Sequence, residues 1–83
     1  MNGGDDPVAM RKRSVTIRGH RTSISLETAF WTELRKIADA RGSSVAALVA
    51  EIDEARGERA NLSSAIRLHV LESLKQVAGS VTG

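Results

Sequence analysis

Residues 11–26 read RKRSVTIRGHRTSISL and hold Arg11, Lys12, Arg13, Arg18, His20 and Arg21 with no acidic residue among them. Hydroxyls at Ser14, Thr16, Ser23 and Ser25 are interleaved with these bases. A guanidinium offers a rigid fork of donors that matches phosphates and the O6/N7 edge of guanine, and a hydroxyl can give or accept one hydrogen bond. The chemistry open to this block is recognition of anions and base edges. Bond cleavage is not indicated: the chain shows no Ser-His-acid order, no paired carboxylates set for proton transfer, no phosphate-cradling glycine loop and no HExxH. We therefore expect a protein that is not an enzyme and takes no small-molecule substrate or cofactor. His20 and His69, the two histidines, read as exposed or structural residues without a metal.

The charge is unevenly spread. Residues 11–25 contain five of the twelve Lys and Arg residues and none of the ten acids, whereas from Leu26 onward seven bases face eight acids. A basic patch on a nearly neutral body is the electrostatic footprint of a polyanion binder. Only Phe30 and Trp31 are aromatic, which argues against stacking platforms for single strands.

The elements that must position this block can be read from periodicity. SVTIR (14–18) and TSISL (22–26) each alternate apolar and polar residues like a half-buried strand. Two arrangements fit: a hairpin with Gly19-His20 as its two-residue loop, or one longer strand bulged at Gly19. From Glu27 the period becomes helical, with Phe30, Leu34, Ile37 and Ala38 on one face, Trp31 beside it, and Glu33, Arg35, Lys36 and Asp39 toward solvent. Thr28 or Ser25 is the expected N-cap, and Gly42 the stop. Phe30 is expected in the core and Trp31 at its edge or against a second copy.

Ser43 or Ser44 caps a second helix from Val45 to about Arg56, with Val45, Leu48, Val49 and Ile52 as its apolar stripe. The stretch 57–60 breaks it. Asn61 or Ser63 caps a third helix over about 61–78, in which Leu62, Ile66, Val70, Leu74 and Val77 share one face while Leu68 and Leu71 project from the other. Apolar residues on two faces imply two neighbours. Residues 1–10 read as a disordered leader, 11–78 as one domain and 79–83 as a disordered tail.

Eighty-three residues bury only about 60% of their unfolded surface, so small chains often need a further staple. The chain has no cysteine and no metal pattern, which leaves oligomerisation, and we expect a homodimer. No apolar run approaches the roughly 18 residues of a membrane span, and residues 1–10 lack the order of a secretion signal, so a soluble cytoplasmic protein is expected.

The order strand, helix, Gly-x-Ser, helix is similar to that of the ribbon-helix-helix family of Arc- and MetJ-type repressors. The words that carry the likeness are TSISLETAF, LRKIADARG and SSVAALVAEI, over about 21–56. RKIADARGSSV resembles the helix junction of Arc-type repressors, and the KRSVTIRGHRTSISLE opening resembles that of small bacterial ribbon-helix-helix domain proteins. The resemblance implies an α+β, mostly helical, intertwined homodimer with an antiparallel β-ribbon, here with an additional C-terminal helix. It implies a bacterial transcriptional regulator whose ribbon enters the major groove of double-stranded DNA.

Carried onto this chain, Arg21, Ser23 and Ser25 become the base readers; if SVTIR is the ribbon instead, Ser14, Thr16 and Arg18 take that role. Phosphate contacts fall to Ser43, Ser44 and the Val45 amide at a helix N-terminus, with Arg11, Lys12 and Arg13 adding sequence-blind contacts. The dimer core implied is Ile24, Leu26, Phe30, Leu34, Ile37, Leu48, Val49 and Ile52. The alternative is a protein-interaction module, such as an antitoxin, whose third helix over 61–78 docks on another protein.

Overall fold

In the computed structural model, which describes residues 6–57 and 61–82, with side chains up to 78, a two-stranded antiparallel hairpin precedes three helices. The elements are β1 (Met10–Ile17), β2 (His20–Glu27), α1 (Thr28–Ala40), α2 (Val45–Arg56) and α3 (Leu62–Thr82). Residues 1–5, half of the expected leader, lie outside the described residues. Residues 6–9 are ordered: the carbonyls of Pro7 and Ala9 accept from the amides of Ala29 and Thr28 at 3.1 and 2.9 Å. These carbonyls satisfy the first amides of α1. Its N-cap is accordingly Glu27, which makes no side-chain capping bond, and not Thr28 or Ser25.

The hairpin exists, with its loop one residue earlier than expected. Arg18 and Gly19, both at positive φ (49° and 82°), form the turn, and Ile17 stands opposite His20. Positive φ at both central residues is the type I′ pattern, whose twist suits a two-residue hairpin. A Gly19-His20 loop would keep the same apolar parity but set Arg18 directly against Arg21. In the observed register no two like charges face each other: Arg11 meets Leu26, Lys12 meets Ser25, Arg13 meets Ile24 and Thr16 meets Arg21. Arg18 takes its strained backbone with its guanidinium held 2.8 Å from the Asp53 carboxylate, which also binds Arg56 at 2.7 Å.

The helix ends follow their local chemistry. Gly42, at φ +66°, closes α1 in a Schellman turn, with Ser43 N–H donating to the Ala38 carbonyl and Gly42 N–H to that of Asp39. Ser44 Oγ accepts from the Ala47 amide and caps α2, and Asn61 Oδ1 accepts from the Ser64 amide and caps α3. Arg41 reaches across the junction to Glu51 at 2.7 Å. Helix α3 runs to Thr82, so the backbone expected to be a tail from residue 79 is helical through 82. Residue 83 lies outside the described residues.

The core lies between the hairpin and the helices. Ile17, Ile24 and Leu26 meet Trp31, Leu34 and Ala38 of α1, Leu48, Val49 and Ile52 of α2, and Ile66 and Val70 of α3. Most of the apolar set expected to form the dimer core is thus gathered into one cluster within a single chain. Of that set, Ile24, Leu26, Leu34, Leu48, Val49 and Ile52 are buried, while Phe30 and Ile37 are half-buried. The two aromatics exchange their expected places. Trp31 is 4% exposed and its indole N–H points to the Arg11 carbonyl at 3.4 Å, whereas Phe30 lies under the Arg67 guanidinium, 5.9 Å from its ring centre. The expected stripe of α3 also ends early: Leu74 and Val77 are 48% and 61% exposed, because the body beneath stops at Val70.

Helix α3 ties down the base of the hairpin. Ser63 Oγ donates to the Ser25 carbonyl at 2.8 Å, and Arg67 forms a fork to Glu27 at 2.9 and 3.1 Å. That hydrogen bonding from Arg67 holds the Glu27 carboxyl below its ordinary pKa. A depressed folded-state pKa contributes stability that is complete above the unfolded value and is lost as pH falls through the folded one. We expect the gap in melting temperature between the parent and Arg67→Gln to hold steady at neutral pH and to narrow in acid below the normal glutamate range. A gap independent of pH in thermal melts would contradict this coupling.

Candidate nucleic-acid interface

Strand alternation and the register together decide which side chains the hairpin shows. On β1 the residues opposite the core face are Lys12, Ser14 and Thr16; on β2 they are Arg21, Ser23 and Ser25. All six are exposed. They stand as cross-strand pairs Lys12 with Ser25, Ser14 with Ser23, and Thr16 with Arg21. The two sets read as alternatives in the sequence, one per strand, are therefore brought onto one surface, with Arg18 as the exception. Arg18 sits in the turn and is engaged by Asp53, away from that row. No carboxylate stands on this surface between residues 12 and 25, and Lys12 and Arg21 have no ion-pair partner among the described residues.

The dimensions suit a duplex. Paired strands lie about 4.8 Å apart, and the major groove, about 12 Å wide, admits a two-stranded ribbon with its outward side chains. Lys12 is the residue that sequence reasoning underplaced: its parity with Ser14 and Thr16 puts it in the row itself. Arg11 and Arg13 share the inward parity, opposite Leu26 and Ile24. Arg13 turns along the rim of the core and lays its guanidinium over Trp31, 5.4 Å from the ring centre.

At the start of α2 the expected phosphate ligands are only partly free. The Ser44 hydroxyl is taken by the Ala47 amide, and the Ser43 amide by the Schellman turn. The amides of Val45 and Ala46 have no acceptor among the described residues. Between this helix start, α1 and the outer edge of β1 runs a groove of about 370 Å³, lined by Arg13, Ser14, Val15, Thr16, Trp31, Arg35, Val45 and Ala46. Arg35 was read as a solvent-side residue of its helix. The signal that could have found it is its spacing of four from Trp31, which puts both on one helical flank.

His20 is exposed beside the turn and His69 is half-buried on α3. Among the described residues no helix is long and apolar enough to cross a membrane.

Comparison with known proteins places this geometry. A family model described as "Ribbon-helix-helix domain" matches residues 10–74. Among solved structures the chain is similar to an uncharacterized protein from Bordetella pertussis Tohama I, at 32% identity and a TM-score of 0.74. That match covers 88% of this chain and 62% of the other, so this chain spans less than two thirds of its relative's length. No curated protein matches.

Proposed function

Because this chain belongs to the ribbon-helix-helix domain family, whose members are generally DNA-binding transcription regulators, we propose that it binds double-stranded DNA with the outward face of its hairpin in the major groove, as a bacterial transcriptional regulator. The observation that carries the reading is the exposed, acid-free row of Lys12, Ser14, Thr16, Arg21, Ser23 and Ser25 on one face of a two-stranded ribbon. In this reading Arg21 supplies most of the base preference, through the paired donors that suit guanine, and the serines add single hydrogen bonds. Lys12 acts as a point charge toward the backbone.

Proteins of this family typically bind DNA as dimers, and we extend the proposal to two copies sharing one site. Each chain already gathers its buried apolar residues into one cluster, with Phe30 and Ile37 half-buried at its margin. Leu68, Leu71 and Leu74, exposed at successive i, i+3 positions along α3, form a short ridge available to a contact between the copies. The same ridge supports the second reading, in which α3 docks a different protein.

Arg21→Ala is expected to weaken binding by about 1–3 kcal/mol and to relax base preference. Lys12→Ala is expected to weaken specific and random duplexes alike and to make the salt slope shallower by about one. For the parent, two copies per site each neutralising about three or four phosphates give a slope of log affinity against log salt of roughly −5 to −7. Titrations on specific and random duplexes at several salt concentrations measure all of this. Equal effects of the two substitutions, or binding insensitive to salt, would remove the proposed face. One chain per site at saturation, with the ridge covered by another protein, would favour the second reading.

A further inference from the structure

We propose that the groove between β1 and the α1–α2 junction is a seat for a backbone phosphate of the duplex, with Arg13 and Arg35 as its ligands and Trp31 as the plate that holds Arg13 in place. The inference rests on the reading of the hairpin as the DNA-facing element, and adds to it Arg35 as a ligand and a fixed place for Arg13, in a groove that the outward row and the helix start both border. Its first support is the fate of the arginines. Arg18, Arg41, Arg56 and Arg67 each meet a carboxylate, on Asp53, Glu51, Asp53 and Glu27. Arg13 and Arg35 line one groove together, and neither has a carboxylate partner among the described residues. No acidic residue lines that groove.

Two cations that border one groove without an acid among its lining residues make it attractive to an anion. A guanidinium is the side chain whose planar fork fits two phosphate oxygens at once. Arg13 is held over the Trp31 ring at 5.4 Å, so less side-chain freedom is lost when it meets a ligand.

The second support is position. Ser14 and Thr16 belong both to the outward row and to the groove lining, so the base-facing surface runs into the groove without a break. A duplex with its major groove on that row brings a sugar-phosphate strand over the rim. A strand of a second copy laid along the outer edge of β1 would carry another Arg13 and Lys12 into a groove that already holds two cations. The charge favours a polyanion.

Trp31 is the single tryptophan of the chain, so its fluorescence reports on this groove alone. The test uses the full chain, its Arg35→Gln, Arg35→Lys and Arg13→Gln variants, and Arg21→Ala as the reference for base reading. Probes are a specific duplex, a random duplex of equal length and inorganic phosphate. Arg35→Gln is expected to weaken both duplexes by the same factor, about eight-fold at 0.1 M salt, and to make the salt slope shallower by about 0.9, the loss of one phosphate contact. Arg35→Lys restores the slope. Duplex binding changes the Trp31 emission of the parent, and Arg13→Gln abolishes that change.

If Arg35→Gln keeps the parent affinity and slope while Arg21→Ala loses affinity, the phosphate seat is wrong and the DNA reading stands. If no variant alters duplex binding, the DNA reading falls and the seat with it. An emission change driven by millimolar inorganic phosphate, without any effect of Arg35 on duplex affinity, assigns the groove to a free anion and overturns the backbone assignment. A change of molecular mass in Arg35→Gln without DNA, by sedimentation, makes the groove a contact between copies and overturns it too.

Discussion

A chain ending at Gly57 is expected not to fold. Lying beyond the strand-helix-helix order with apolar residues on two sides, α3 reads in the sequence either as an extension of the core or as a docking segment for another protein. Its buried half belongs to the core. Ile66 and Val70 are 0% and 1% exposed and close the core over the hairpin and the first two helices. Emptying a buried Ile or Val position costs roughly 1–5 kcal/mol, and here two such positions disappear with the surface around them left bare. The loss is of the order of the whole stability of a small domain, about 5–15 kcal/mol.

The same cut removes Ser63 from the Ser25 carbonyl and Arg67 from Glu27, the two ties at the base of the hairpin. Far-UV circular dichroism and a thermal melt of residues 1–57 check this directly. A cooperative transition within a few degrees of the parent would mean that the closed core is completed by something other than α3. A docking role for α3 is therefore properly tested at Leu71 and Leu74, whose exposed side chains can be made polar without opening the core.

The parts legible in the sequence are those set by short-range chemistry. Gly42, Ser44, Gly57 and Asn61 mark helix ends because positive φ and side-chain capping are properties of one or two residues. Strand alternation was equally plain in SVTIR and TSISL. What it did not provide was the pairing: a two-residue turn at 18–19 makes every pair sum to the same parity, so even residues of β1 and odd residues of β2 share a face. That is why two candidate reading strands became one surface. The choice between turns one residue apart rested on a like-charge pair, Arg18 against Arg21, visible only once pairing is considered. The early end of the α3 stripe was not legible, since periodicity reports which residues could be buried and not how far the body beneath extends. Arg35 is exposed, as its place on the solvent side of the helix implies, but the groove it borders is not legible, because the other wall is a strand distant in sequence.

Replacement of Trp31 by Ala is expected to cost about 3–5 kcal/mol, and replacement of Phe30 distinctly less, roughly 1–2 kcal/mol. The order is the reverse of what the residues' helical positions suggested. Both are aromatic and adjacent, but Trp31 shares its flank with Leu34 and Ala38 and is buried, while Phe30 packs at the margin of the core, half-buried, with the Arg67 guanidinium of α3 over its ring. Each kcal/mol moves the melting temperature of a domain this size by about 4–8 °C, so the Trp31 variant should melt at least about 12 °C below the parent.

The measurement has to be circular dichroism, since the substitution removes the only tryptophan. Trp31→Phe separates packing from the ring's other roles. It keeps most of the apolar volume, so much of the stability should return, but it loses the indole N–H to the Arg11 carbonyl and offers Arg13 a weaker face. A Trp31→Phe protein that melts near the parent yet binds duplex less tightly at every sequence would tie the core residue to the placement of Arg13. If Phe30→Ala proved the more damaging change, the orientation of α1 against the hairpin, and with it the groove that Arg13 and Arg35 line, would have to be redrawn.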